Sequence, residues 1–302
     1  MVTDQQTIGF IGLGVMGGPM CRNVARKHIG RVLMLDREPA AIAALSDTKA
    51  EAAASVEALA AIADVIFLSL PGGPQVEAVC AAIQASARPG CAVVDLSTTP
   101  VTVARDVGKR LKAAGLEFAD APVARTREAA QRGELSIMVG ADTAVFARVK
   151  PLLDYMGSDI THCGDIGCGQ VVKLINNALV FENTLALAEM MVVGERAGVA
   201  PQTLLSAVSK GSGDSFVLRN HGMKAMLPRS FPEKAFPPEY VLKDLDYLLQ
   251  LAADVGMQPN VAQLARRTYD AACQNGLSGR YFPGVIEFVE NGGLDDDGKT
   301  TK

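Results

Sequence analysis

The sequence predicts an α/β chain: a doubly wound sheet of the dinucleotide-binding type in the first half, a long connecting helix, then a helical second half. Three observations carry this. A glycine-rich G-x-G-x-x-G turn at Gly12, Gly14 and Gly17 directly follows a short apolar run. Apolar runs then alternate with alanine-rich segments of helical length, the pattern of parallel βαβ units. After about Gly169 that alternation stops, and the chain reads as helices broken by Gly and Pro.

The elements follow in order. Residues 8–11 read as a buried strand and 16–27 as the helix behind it. Gly12 permits the tight turn, Gly14 lets a pyrophosphate approach the backbone, and Gly17 lets helix and strand pack closely. Unpaired N–H groups at the helix start favour the phosphate charge, and Leu13, Val15 and Met16 complete this expected cofactor-binding turn. A second strand at 31–35 runs into Asp36, nineteen residues after Gly17. There an acidic side chain accepts hydrogen bonds from an adenosine ribose. Asp36 favours NAD over NADP because a carboxylate repels a 2′-phosphate. Arg37 beside it can hold that phosphate instead, so NADP stays open.

Further strands are expected at 65–70, 92–96, 117–119 and 136–139, with helices at 74–87, 101–114 and 143–155. Loop chemistry sits at the strand ends, in Pro71-Gly72-Gly73-Pro74 and Ser97-Thr98-Thr99-Pro100. Ligands of open α/β sheets bind beyond those ends. Residues 170–197 form one long apolar helix carrying Lys173, Asn176, Asn177, Glu182, Asn183 and Glu189. Its length suits a membrane span, but these polar groups make that costly and predict a core helix. The domains expected are 1–168, dinucleotide-binding, and 169–292, all-helical, followed by a disordered tail at 293–302.

Composition narrows the function. The 302 residues are 49% hydrophobic, enough for sizeable cores, and the net charge of −4 gives no footprint for nucleic acid. Six cysteines without a C-x-x-C pair point to reduced thiols in the cytoplasm. Cys163 and Cys168 lie near His162 but lack a second ligand cluster, so no metal site is expected. The N-terminus lacks a basic region followed by an apolar stretch, so no secretory signal is expected.

Lys173 is the strongest candidate for chemistry. It sits near the start of the long helix, with Asn177 on the same face at i+4. Apolar surroundings disfavour a charged ammonium, which suits a lysine to proton transfer. Asn177 can orient a substrate oxygen without adding charge. The plain alternative is a lysine snorkelling at a helix end.

The chain resembles the β-hydroxyacid dehydrogenase family, which includes 3-hydroxyisobutyrate dehydrogenase, tartronate semialdehyde reductase and sulfolactaldehyde reductase. The resemblance rests on Gly-Phe-Ile-Gly-Leu-Gly-Val-Met-Gly at 9–17, Asp-Leu-Ser-Thr at 95–98, and Asp-Ala-Pro-Val at 120–123. It continues with Gly-Glu-Leu-Ser-Ile-Met-Val-Gly at 133–140, Val-Lys-Leu-Ile-Asn-Asn at 172–177, and Lys-Asp-Leu at 243–245. The resemblance implies a Rossmann domain and a helical domain joined by the long helix, with Lys173 as catalytic acid/base. It also implies that Leu70, Pro71 and Thr98 line the cofactor site and that Lys243 reaches cofactor or substrate.

One loop departs from the family pattern. Where Ser-Gly-Gly usually follows Asp-Ala-Pro-Val and holds a substrate carboxylate, this chain has Ala124-Arg125-Thr126. That is similar to the Gly-Arg-Thr of sulfolactaldehyde reductase. A guanidinium fork recognises carboxylate or sulfonate through paired hydrogen bonds, so Arg125 is the expected anion anchor and Ser97, Ala124 and Thr126 the substrate-site neighbours. An exposed loop arginine is the alternative. Ser212, Gly213 and Ser215 form a turn or helix cap that the family places near substrate. His28, His162 and His221 are isolated and read as surface or core residues.

The expected protein is therefore an NAD-dependent oxidoreductase, with NADP possible, interconverting a small hydroxy acid or hydroxy-sulfonate and its aldehyde or ketone. The four-carbon substrate of a 4-hydroxybutyrate dehydrogenase is within that range. Rivals are an imine reductase and a non-catalytic dinucleotide-binding protein, both disfavoured by Lys173. Partners expected are a small anionic substrate and further copies of the chain, as homodimer or homotetramer. Neither nucleic acid nor membrane is expected.

Overall fold

A computed structural model describes residues 5–233 and 235–294. The chain divides into two compact units between Lys173 and Leu174, inside a helix and five residues beyond the expected boundary. The tail expected from residue 293 lies outside the described residues from 295 onward. Leu294 still packs against the second unit's core.

In the first unit the strands are β1 (Ile8–Ile11), β2 (Val32–Leu35), β3 (Glu51–Ala52), β4 (Val65–Leu68), β5 (Ala92–Asp95), β6 (Glu117–Asp120), β7 (Val123–Ala124), β8 (Leu135–Gly140) and β9 (Gly157–Gly164). They form one sheet in the order β3-β2-β1-β4-β5-β6-β8-β7, with β9 added on β8. Pairing is parallel from β3 to β6 and antiparallel where β6 and β7 meet β8. Helices α1 (Gly17–Lys27), α2 (Pro39–Ala43), α3 (Val56–Ala60), α4 (Gly73–Ser86), α5 (Val101–Ala113), α6 (Arg127–Arg132) and α7 (Thr143–Leu153) connect the strands.

Alternate strand residues feed two cores. Ile8, Phe10, Val65, Phe67, Ala92 and Val94 enter one, while Ile11, Ile66, Leu68 and Val93 enter the other. That is the period-two geometry of a sheet buried on both faces, which makes its strands read as continuous apolar runs. Helix α1 buries Met20, Cys21, Val24 and Ala25 as one stripe, and Arg26 and Lys27 in its last turn complement the helix dipole.

The expected strands and long helices are present within a residue or two; the run at 65–70, for example, stops being a strand at Leu68. The sequence reading missed β3, β7 and β9 and the short helices α2, α3 and α6. Strand β9 (Gly-Ser-Asp-Ile-Thr-His-Cys-Gly) has no apolar run; it sits beside β8 alone and is largely exposed or half-buried, so pairing holds it with little burial to mark it.

The second unit is helical. It holds most of α8 (Cys168–Arg196), then α9 (Pro201–Val208), α10 (Pro238–Asp254), α11 (Asn260–Ala272) and α12 (Val285–Glu290), with π-helical turns at Leu218–Met226 and Cys273–Leu277. By length and composition α8 is apolar enough to cross a membrane. Yet Ala178, Phe181, Leu185, Ala188 and Met191 are buried in this unit's core, which accounts for the apolar content of that face.

Candidate functional site

The glycine turn assigns its three residues different tasks. Gly12 has φ +95°, and a Cβ there would stand 2.1 Å from the Ser69 carbonyl oxygen. A Cβ on Gly17 would stand 2.0 Å from the Gly12 carbonyl oxygen, so close packing of α1 on the turn demands glycine. A Cβ on Gly14 meets no protein atom within 4 Å. Packing therefore does not explain glycine at position 14, while close approach of a bound pyrophosphate does. Leu13 is buried, Met16 is half-buried and Val15 is exposed.

Asp36 follows β2 and turns its carboxylate back onto this turn. Oδ2 accepts the Leu13 N–H at 2.5 Å and Oδ1 accepts the Glu38 N–H at 2.8 Å. Each oxygen retains a lone pair for a ribose hydroxyl. Arg37 is exposed. These residues fit an adenine dinucleotide.

The neighbouring strand ends are tied together. The Ser97 hydroxyl accepts the Leu70 N–H at 2.9 Å, joining the loops after β4 and β5. Ser97 N–H donates to buried Asp95 at 3.0 Å. Burial pushes the Asp95 carboxyl up to about 7 and the Asp120 carboxyl, at the end of β6, up to about 6. Thr98 is half-buried and Pro71 exposed.

Helix α8 starts at these strand ends. Lys173 lies in its second turn and is only 8% exposed, a buried cation on a predominantly apolar helix. Asn177, one turn on, is equally buried, and its Nδ2 donates to Asp244 Oδ2 at 2.7 Å. The sequence reading quoted Asp244 only as part of a motif and gave it no role. Its signal was an acid inside the apolar stripe of α10, since Asp244 and Leu245 are buried together. Lys243 stands 3.2 Å from Asp244 Oδ1, close enough for an ion pair but outside hydrogen-bond alignment. Its ammonium also lies 5.4 Å from the ring centres of Tyr240 and Tyr247.

The loop after β7 differs from the expectation of a guanidinium presented to an incoming anion. Arg125 donates to the Glu134 carbonyl at 2.6 Å, the Ser158 hydroxyl at 2.9 Å and the Asp159 carboxylate at 2.5 Å. The fork fastens its loop to the start of β9. Its backbone has φ +86°, a conformation glycine adopts freely and arginine does not. Ala124 is buried, and the Thr126 hydroxyl accepts the Ala129 N–H at 3.4 Å as the cap of α6.

The secondary candidates have structural tasks. Ser215 caps the turn at Leu218 through its hydroxyl. His221 is buried beside the Tyr281 hydroxyl and Phe282, and burial lowers its imidazole to about 4. His162 stacks on Phe146 at 4.5 Å, and His28 bonds the Gln6 carbonyl. Among the described residues no three His, Cys, Asp or Glu side chains group to hold a metal.

Comparison with known proteins follows this division. Residues 7–164 match the NAD binding domain of 6-phosphogluconate dehydrogenase, and residues 167–289 match the NAD-binding domain of NADP-dependent 3-hydroxyisobutyrate dehydrogenase. The chain is 32% identical to 2-(hydroxymethyl)glutarate dehydrogenase of Eubacterium barkeri, covering 94% of each chain. It is 33% identical to 2-hydroxy-3-oxopropionate reductase of Escherichia coli K12, covering 94% of this chain and 97% of that one. Among solved structures, Mycobacterium tuberculosis 3-hydroxyisobutyrate dehydrogenase with L-serine superposes with a TM-score of 0.86 at 29% identity, covering 94% of this chain and 99% of that one. An imine reductase from Pseudomonas sp. reaches a TM-score of 0.61 at 16% identity, over 94% of this chain and 99% of that one, a likeness of fold alone.

Proposed function

This chain belongs to the β-hydroxyacid dehydrogenase family, as an NAD(P)-dependent oxidoreductase acting on the CH–OH group of small hydroxy acids, and from that premise we propose that Lys173 is its proton-transfer group. The carrying observation is a lysine 8% exposed on an apolar helix that starts at the carboxyl ends of the strands. A buried ammonium there needs a reason beyond packing. In oxidation neutral Lys173 takes the hydroxyl proton; in reduction its ammonium returns the proton to the carbonyl oxygen and stabilises the charge developing there. The dinucleotide, when bound, supplies the hydride acceptor or donor. Gly12, Leu13, Gly14, Val15, Met16, Gly17 and Asp36 are the residues proposed to hold it, with Leu70, Pro71 and Thr98 beyond the strand ends. Asp36 favours NAD. Asn177 fixes the helix face beyond Lys173 through Asp244, and Lys243 is proposed to meet cofactor or substrate anion.

The substrate class follows from two supports. The relatives' names share a hydroxymethyl or oxo carbon near a carboxylate, which places this chain's substrate among short hydroxy acids. The Arg125 loop extends that to longer or sulfonated anions. An anion reaches the guanidinium in exchange for Asp159, and an exposed ion pair of this kind is worth about 0–1 kcal/mol, so exchange is cheap. Ser97, Ala124 and Thr126 would border that anion.

Steady-state turnover of short hydroxy acids, hydroxy-sulfonates and their aldehydes, with NAD(H) and NADP(H), tests the reading together with Lys173→Ala. The variant should bind NADH normally and lose about 10²–10⁴-fold in kcat. A variant that keeps a third of wild-type kcat removes Lys173 from the role.

Assembly and location belong to the same proposal. Val172, Ile175, Leu179, Met190 and Val193 lie exposed along α8, an apolar stripe that a second copy of the chain would cover. Light scattering should return a dimer or tetramer mass at micromolar concentration, and a monomer mass would rule it out. Six unpaired cysteines, three of them buried, support a reducing cytoplasmic setting.

A further inference from the structure

The start of α8 is fixed by two buried side chains. Asp120 takes the Gly167 N–H on Oδ1 at 2.6 Å and the Gln170 N–H on Oδ2 at 2.8 Å, satisfying donors that a helix start leaves orphaned. Gln170, with no exposed surface, spends both ends of its amide on one loop. Its Oε1 accepts the Thr99 N–H at 3.1 Å, and its Nε2 donates to the Ser97 carbonyl at 2.8 Å.

The bonds continue outward. The Ser97 hydroxyl holds the Leu70 N–H, and Asp95 holds the Ser97 N–H with the Thr99 hydroxyl 3.5 Å away. Asp95, Ser97, Thr99, Asp120 and Gln170 are all buried. There is no slack around them. A Cβ on Gly169 would stand 2.4 Å from the Met138 carbonyl oxygen, and one on Gly140 would stand 2.6 Å from Asp120 Oδ1. Lys173 follows Gln170 by three residues, on the next turn of the same helix.

We propose that Gln170 is a positioning residue: its amide locks the Ser97–Thr99 loop to the helix turn that carries Lys173, so that the proton-transfer group and the loop proposed to line the dinucleotide keep one register. This rests on the reading of Lys173 given above. Glutamine suits the task because a primary amide donates and accepts in one plane without adding charge between two buried carboxyls. A fully partnered buried network holds its members in one arrangement. A displacement near 1 Å at a reacting group costs about 10²-fold in rate.

Two variants separate positioning from folding. Gln170→Met keeps the length of the side chain and removes both loop bonds. Gln170→Glu keeps the acceptor for Thr99 and loses the donor to Ser97 once its carboxyl ionises. The measurements are thermal melting, NADH titration, amide hydrogen exchange over residues 97–99, and turnover of the best substrate of the panel above. For Gln170→Met the expected result is a folded protein with NADH affinity within about threefold of wild type. Exchange at the Thr99 N–H should rise about tenfold or more, and kcat should fall about 30-fold with little change in KM. For Gln170→Glu, turnover relative to wild type should recover as the pH falls, because burial raises the new carboxyl's pKa and its protonated form donates to Ser97 again. A fold defect leaves no such recovery.

Wild-type exchange at 97–99 in Gln170→Met overturns the proposal without any activity measurement. So does a loss of kcat that runs in step with lost NADH binding or lowered melting. If Gln170→Met fails to fold, Gln170→Glu alone decides, by the presence or absence of recovery at low pH. Lys173→Ala retaining turnover would instead sink the underlying reading, and it leaves the exchange result standing as a statement about the loop.

Discussion

Arg125 shows how a residue's chemistry and its position answer different questions. Its guanidinium fork was read as an expected anion receptor, because residue type and motif position are written in the sequence. That Asp159 and Ser158 already occupy the fork was not legible, since these partners stand 34 and 33 residues away on a strand without an apolar run. Both members of the ion pair are substantially exposed, so the pair exchanges with a competing anion at small cost. Arg125→Ala should therefore lower kcat/KM on anionic substrates by about 10–100-fold and leave an uncharged alcohol of equal length nearly untouched. Equal losses on both would mean that the fork supports the loop and does not read the anion. Lys173 and Asn177 were singled out from residue type and i,i+4 spacing, and both are buried. The bond from Asn177 to Asp244 was not legible because the two lie 67 residues apart.

At the scale of an element, the β1–α1 turn separates packing from binding within six residues. Gly17→Ala drives a methyl into the Gly12 carbonyl, and Gly12→Ala adds a left-handed backbone to a similar collision. Each should destabilise the fold by more than about 2 kcal/mol in chemical denaturation. Gly14→Ala meets no protein atom within 4 Å, so its denaturation midpoint should stay close to wild type. Its NADH affinity, by contrast, should fall about tenfold or more, because the methyl stands where a pyrophosphate approaches. Full NADH affinity in Gly14→Ala would refute this placement of the phosphate. The order of strand, turn, helix and acid was legible because each step has a local sequence signature. The short strands β3 and β7 were not, since two residues carry no period.

At the scale of the whole molecule, three buried groups set the pH dependence of stability. The carboxyls of Asp95 and Asp120 are raised to about 7 and about 6, mainly by burial. They bind protons more tightly in the folded chain than in the unfolded one, so their contribution is present at low pH and is lost as pH rises through those values. His221 works in the opposite sense. Its imidazole is lowered to about 4, so its contribution is present above the ordinary histidine range and is lost as pH falls toward 4. Two groups against one leave a net gain on acidification, and melting at pH about 5.5 should occur above melting at pH about 7.5. His221→Phe should steepen that rise. The exposed, ion-paired Asp47 and Glu51 are lowered by their arginine partners, and Asp159 by the Ser158 hydroxyl and then Arg125; they weaken the fold only below the ordinary carboxylate range. A melting temperature that falls steadily from pH 7.5 to 5.5 would show that Asp95 and Asp120 are ionised in the fold.

The sequence by itself determined what repeats locally. Alternating apolar runs specified a sheet buried on both faces, the spaced glycines specified a tight strand-to-helix turn, and a lysine within an apolar helix marked the position proposed for proton transfer. These are properties of neighbouring residues, and burial or spacing expresses them within a few positions. Only the tertiary structure decided the partners of the polar groups: Asp120 on the start of α8, Gln170 on the Ser97–Thr99 loop, Asp244 on Asn177, Asp159 on Arg125. A hydrogen bond has direction and a reach of about 3 Å, and no periodicity in the chain records which distant donor falls within it.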